Sequence, residues 1–132
     1  DISGAKQAFS ELSEFLTRFP QSQYSPYASQ RLIYLRSLIA KSELVAADYY
    51  MKRKAYVAAL RRANYVIENI PNTSETIRAL KVVRDCYREL GYFELMDDIQ
   101  LVIDANDPSP EVESQDTSWN FFQRKAPAPS KS

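Results

Sequence analysis

Apolar residues fall three and four positions apart through five stretches of this chain, and each stretch ends at proline, glycine or a polar cluster. That spacing lines up side chains on one face of an α-helix. Ala5, Ala8, Phe9, Leu12, Phe15 and Leu16 predict a first helix from about Gly4 to Phe19, closed by Pro20. "QSQYSP" follows as a loop, with Pro26 suited to the first turn of the next helix. From Tyr27 to about Arg53 there is neither glycine nor proline. Ala28, Leu32, Leu35, Ile39, Ser42, Ala46, Tyr49 and Arg53 alternate four and three apart, which predicts one long helix of roughly 40 Å at 1.5 Å per residue. A break near Ser42 is the competing reading. "KRKAY" makes a tight turn into a helix from Tyr56 to Ile70, whose inner face is Tyr56, Ala59, Leu60, Ala63, Val66, Ile67 and Ile70. Pro71, Asn72 and Thr73 end it. A fourth helix begins near Ser74, with Glu75 against the helix dipole and Ala79, Leu80, Val83, Cys86, Tyr87 and Leu90 as its core stripe. Gly91 supplies the left-handed closing residue. A fifth helix from Phe93 to Asn106 buries Leu95, Met96, Ile99, Val102 and Ile103.

The pattern repeats. Ala63, Ala59, Tyr50 and Ala47 before Pro71 find counterparts at nearly the same offsets before Pro108, in Gln100, Met96, Tyr87 and Arg84. Phe15, Leu12 and Ala8 precede Pro20 in an earlier copy. The three prolines lie 51 and 37 residues apart. The shorter interval is close to the tetratricopeptide period of ~34 residues, and the long second helix accounts for the other. The predicted fold is therefore all-α: a tetratricopeptide-like helix-pair solenoid over residues 1–108, with one long helix, followed by a flexible acidic and aromatic tail over 109–132. The first helix reads as the second member of a pair. The chain is thus expected to be a fragment whose upstream repeats and targeting signal lie elsewhere. Stacked helix pairs form a binding scaffold and carry no chemistry of their own.

Composition narrows the function. Seventeen basic and seventeen acidic residues cancel, which argues against nucleic-acid or membrane-surface binding by net charge. The charges are segregated, however: residues 1–92 hold 14 basic and 9 acidic side chains, and residues 93–132 hold 3 and 8. No apolar run approaches the ~18 residues of a membrane span. The single cysteine, Cys86, lies in an apolar stripe and acts as a small hydrophobe. Histidine, the commonest general base, is absent, and no glycine-rich phosphate loop occurs. Asp97 and Asp98 point in different directions on their helix, and Asp104 and Asp107 lack the rest of a calcium loop. No catalytic, cofactor or metal site is expected.

Two basic groups and one aromatic cluster are the candidates for recognition. Arg78, Lys81, Arg84 and Arg88 form a strip on the fourth helix that would offer forked donors to an acidic partner. Asp85 and Glu89 are interleaved with it, so a solvated helix face is the alternative. Lys52, Arg53 and Lys54, with Arg61 and Arg62, form a second group around an interhelical turn. Trp119, Phe121 and Phe122 stand in an acidic stretch. They can fold back onto the end of the array, insert into a partner's groove, or meet a lipid interface.

The stretch "RLIYLRSLIAKSELVAADYYMKRKAYVAALRRANYVIENIPNT" resembles the carboxy-terminal half of the BamD family, also called ComL or YfiO. The resemblance covers about residues 5–108 and is carried by Arg31, Leu32, Leu35, Ala40, Lys41, Glu43, Ala47, Tyr49, Tyr50 and Arg53. It continues through Ala55, Val57, Ala58, Arg62, Pro71, Thr73, Ala79, Leu80, Tyr87 and Arg88. It implies a lipoprotein at the periplasmic face of the outer membrane of a Gram-negative bacterium, held there by a lipid anchor outside this sequence. It also implies that these repeats bind BamA through its membrane-proximal POTRA domain, alongside other accessory lipoproteins. On that basis the Arg78 strip and the turn near Lys54 and Arg61 are expected to contribute to the contact. Two departures stand out. Where members often carry an arginine after "PxTxxxT", this chain has Ile77, with Arg78 one residue later. Lys54 replaces the glycine typical after "YYxKR". The rival readings are a general tetratricopeptide adaptor that captures a peptide in another envelope assembly system, and a lipid-interface module built on Trp119, Phe121 and Phe122.

Overall fold

A computed structural model of the chain describes residues 2–106. They form five α-helices in series: α1 (Ser3–Arg18), α2 (Ser25–Lys52), α3 (Tyr56–Asn69), α4 (Ser74–Leu90) and α5 (Phe93–Asn106). No strand occurs among the described residues. Each helix packs against its successor, and α2 also packs against α4. Short loops between long amphipathic rods leave antiparallel neighbours stacked in series, the helix-pair solenoid that the repeat predicts. All ten helix ends fall within two residues of the predicted ones.

One apolar core runs through the stack. Leu35, Ile39, Ala40 and Leu44 of α2 meet Ala63 and Val66 of α3, with Ile70 just beyond it, and Ala79 and Val83 of α4. Ala59 and Ala63 are fully buried, and their small side chains let α2 and α3 approach closely. Ala5, Ala8, Phe9 and Leu12 lay α1 against the same core from the other side.

Helix α2 is continuous over 28 residues, so there is no break at Ser42. Its buried face differs from the predicted one in the carboxy-terminal half. Ala40, Glu43, Leu44 and Ala47 are buried there, whereas Tyr49 and Arg53 are exposed. A strict four-three repeat drifts ~20° per heptad against a straight helix, so a face extrapolated over seven turns loses register. Glu43, being charged, was also invisible to a count of apolar positions. On α5 only Ile103 of the predicted set is fully buried, and Leu95 and Val102 remain exposed. No described helix packs on the far side of the α4/α5 pair to cover them.

The turns show where the backbone is constrained. Gly91 closes α4 at φ +82°, as its position predicts. Lys54 adopts φ +60° in the α2–α3 turn, a conformation that costs a non-glycine residue about 1 kcal/mol. Asn72, at φ +64°, tolerates the same region better. At the start of α4 the Thr73 amide donates to Thr76 Oγ1 at 3.1 Å, and Thr76 Oγ1 donates to the Ile70 carbonyl at 3.0 Å. These bonds fix the loop that joins the two pairs.

Cys86 is buried, with its Sγ 3.3 Å from Met51 Sδ, and so ties α4 to the end of α2. Burial, helped by the nearby Asp85 charge, pushes its thiol up to about 11. An unfolded chain releases this proton nearer its ordinary value of 9.0. The native state therefore binds more protons between these values, and stability falls as pH rises through them. The expected loss is about 2–3 kcal/mol in all. Urea unfolding of wild type and Cys86→Ala at about pH 8 and about pH 10.5 checks this, with the steeper decline expected in wild type.

Candidate partner-binding face

Helix α2 is apolar on two opposite sides. Leu35 and Ile39 face the core, while Tyr27, Tyr34, Leu38, Val45 and Tyr49 recur seven and four apart on the other side. That spacing returns to nearly the same angle each time, so the five residues form one straight stripe along the helix. All are exposed, from 41% at Leu38 to 71% at Tyr27. A helix that is apolar all round is normally buried on both sides.

Cations border this stripe. The Arg31 guanidinium lies 5.0 Å from the Tyr34 ring centroid, and that of Arg53 lies 4.3 Å from the Tyr49 ring. Such stacking holds flexible arginines and rings together as preorganised units. Exposed Lys41 and Lys52 sit on the same side of the helix. The acid next to them, Asp48, accepts an ion pair from Arg78 of α4 at 3.6 Å. That pair joins the α2 stripe to the α4 strip in one face.

The structure separates the members of the predicted strip. Arg78 and Arg88 are exposed, and Lys81 is half-buried. Arg88 pairs with Asp85 at 3.3 Å and with Glu89 at 3.8 Å. Arg84 is more enclosed: its Nε donates to Asp85 at 3.0 Å and its NH1 donates to Gln100 of α5 at 3.0 Å. It therefore joins two helices within the array.

The second basic group divides in the same way. Lys52, Lys54 and Arg61 are exposed around the α2–α3 turn. Arg62 instead reaches back to Glu43, with NH1 3.4 Å from both carboxylate oxygens. The Glu43 charge raises the Arg62 pKa further above its ordinary value. Glu43 is only 1% exposed, and Lys6 of α1 pairs with it at 2.7 Å. The Lys6 ammonium also sits 4.0 Å from the Tyr65 ring centroid on α3. One buried carboxylate thus gathers cations from the helices on either side of α2. Reading the sequence missed this network, as well as the α2 stripe. The stripe was legible in its seven-four spacing. Glu43 gave no local signal beyond a place on the inner face one turn after Ile39. Trp119, Phe121 and Phe122 lie outside the described residues.

Among the described residues no group of three or more His, Cys, Asp or Glu side chains is placed to hold a metal ion. No described helix is long and apolar enough to cross a membrane. What the geometry presents is an extended aromatic and basic surface on a helix-pair stack, so the fold defines an all-α protein of the tetratricopeptide type. Residues 1–101 match a family described as "YfiO: Outer membrane lipoprotein". The chain belongs to this YfiO family, to which BamD proteins correspond. Among its relatives is an outer membrane protein assembly factor BamD from Haemophilus influenzae, 34% identical over 106 residues, covering 80% of this chain and 40% of the relative. The BamD of Neisseria meningitidis serogroup A is 33% identical over 108 residues, covering 82% and 40%. That of Xylella fastidiosa is 32% identical over 108 residues, covering 82% and 37%. The chain therefore spans about two-fifths of the length of these relatives.

Proposed function

We propose that this chain is the carboxy-terminal helix-pair portion of an outer-membrane protein assembly factor. In this reading it acts without catalysis, as a scaffold at the periplasmic face of the outer membrane of a Gram-negative bacterium. Its partner is BamA, engaged through the membrane-proximal POTRA domain, with other accessory lipoproteins bound to the same stack. The relatives' shared name, outer membrane protein assembly factor, supports the process. The observation that carries the recognition role is the two-sided α2, whose aromatic stripe and bordering cations run on to Arg78 of α4.

The exposed cations Arg78, Arg88, Lys52, Lys54 and Arg61 are the ones free of a structural duty in the core, and they are assigned to the contact. Arg62 and Arg84 support it from within, by fixing α3 to α2 and α5 to α4. Arg78 holds Asp48 only loosely at the surface, so an incoming carboxylate can replace that acid at little cost. Arg78→Ala is expected to weaken binding to the isolated POTRA domain by about 2 kcal/mol, or roughly thirtyfold, and to flatten its salt dependence. Titration calorimetry at two salt concentrations reads both. Unchanged affinity and salt dependence in both Arg78→Ala and Arg88→Ala would remove the α4 strip from the contact.

A further inference from the structure

A groove of about 470 Å³ opens between the α3–α4 loop and the carboxy-terminal end of α5, across the first turns of α4. Ile67, Pro71, Ile77, Leu80 and Val102 give it an apolar lining, and Asn106 stands at its edge. Leu95, two turns before Val102 on the same side of α5, extends the apolar surface; both residues are more than two-fifths exposed. Apolar surface left open on a helix-pair stack is a site for a covering segment. Here the surface is apolar and no described helix covers it.

The position of the chain beyond α5 identifies an occupant. Asn106 is the last described residue and lines the groove, so the chain continues from the groove itself. Trp119 follows thirteen residues later, with Phe121 and Phe122 beside it. Extended chain of that length spans up to ~43 Å, about twice the length of α5, so the aromatics reach every part of the groove. The intervening residues include Asp107, Glu111, Glu113 and Asp116 and no cation. Arg36 stands beside the groove to meet them, its guanidinium donating to the Pro71 carbonyl at 2.8 Å. A short tether also gives an effective concentration of order mM, so a modest intrinsic affinity suffices.

We propose that the segment Trp119–Phe122 of this chain docks in this groove and covers its apolar lining at Ile77, Leu80 and Val102. This holds independently of whether the α2 face binds a POTRA domain, because it uses a different surface and no partner.

Trp119 is the only tryptophan, so intrinsic fluorescence of the full chain reports its surroundings without a label. The expected result is blue-shifted emission shielded from acrylamide. Val102→Glu and Ile77→Glu should each shift it to the red and expose it to the quencher, while Val45→Glu on the α2 stripe leaves both readings unchanged. Circular dichroism verifies that each variant is folded; exposed Val102 tolerates substitution even if Ile77→Glu unfolds the chain. The proposal is overturned by emission from a fully hydrated indole in wild type, or by a buried indole that Val102→Glu leaves in place. It is equally overturned if the shift is lost with Val45→Glu, vanishes on dilution as a second copy dissociates, or arises only when anionic lipid vesicles are added.

Discussion

Replacing Lys6 and Arg62 together with methionine is expected to destabilise the stack by about 3–5 kcal/mol, the cost of stripping a buried carboxylate of its counter-charges. Glu43 is 1% exposed, and these two residues from α1 and α3 are its cationic partners in the structure. The loss would be a large share of the ~5–15 kcal/mol that holds a domain together. Glu43→Gln should cost less, about 1–2 kcal/mol. It leaves Lys6 and Arg62 with 31% and 42% of their side chains in water, where neither cation is stranded. Urea denaturation gives both values as midpoint shifts at constant slope. If the double substitution costs no more than Glu43→Gln, buried charge is not what joins α1, α2 and α3.

Loss of the α2 aromatics should be nearly as large an effect, but in binding instead of folding. Tyr34 and Tyr49 are 56% and 52% exposed, and each stacks with an arginine instead of filling the core. Truncating an aromatic anchor at the centre of an interface costs about 2 kcal/mol or more, so Tyr34→Ala,Tyr49→Ala is expected to weaken POTRA-domain binding at least about a hundredfold. The unfolding midpoint should hardly move, because exposed substitutions typically change stability by within about 0.5 kcal/mol. Biolayer interferometry on the isolated domain reads the first quantity and thermal melting the second. A double variant that binds like wild type would leave the stripe without a role in recognition.

Local signals and tertiary ones were unequally legible in the sequence. Helix ends were plain because their causes are local: Pro20, Pro71 and Gly91 act on their own backbones. The faces of α1, α3 and α4 were also readable, since each spans only a few turns and the apolar count stays in phase. Helix α2 was not. Over 28 residues a heptad reading drifts out of phase, and Tyr49 and Arg53, counted inward, turn outward. Its second apolar stripe hid among residues already assigned to a core. The basic strip shows a further limit. Arg78, Arg84 and Arg88 lie on one helix, but whether each faces water or a neighbour depends on Gln100, Asp85 and Asp48, two of which come from other helices. Likewise the buried role of Arg62 depends on Glu43, nineteen residues away.

Hydrogen–deuterium exchange of the full chain, with and without the membrane-proximal POTRA domain of BamA, tests the recognition face most directly. Slowed exchange is expected along α2 from Tyr27 to Lys52 and along α4 from Arg78 to Arg88, with α1 unaffected. Protection confined to α1, or no protection at a saturating concentration of the domain, would contradict it.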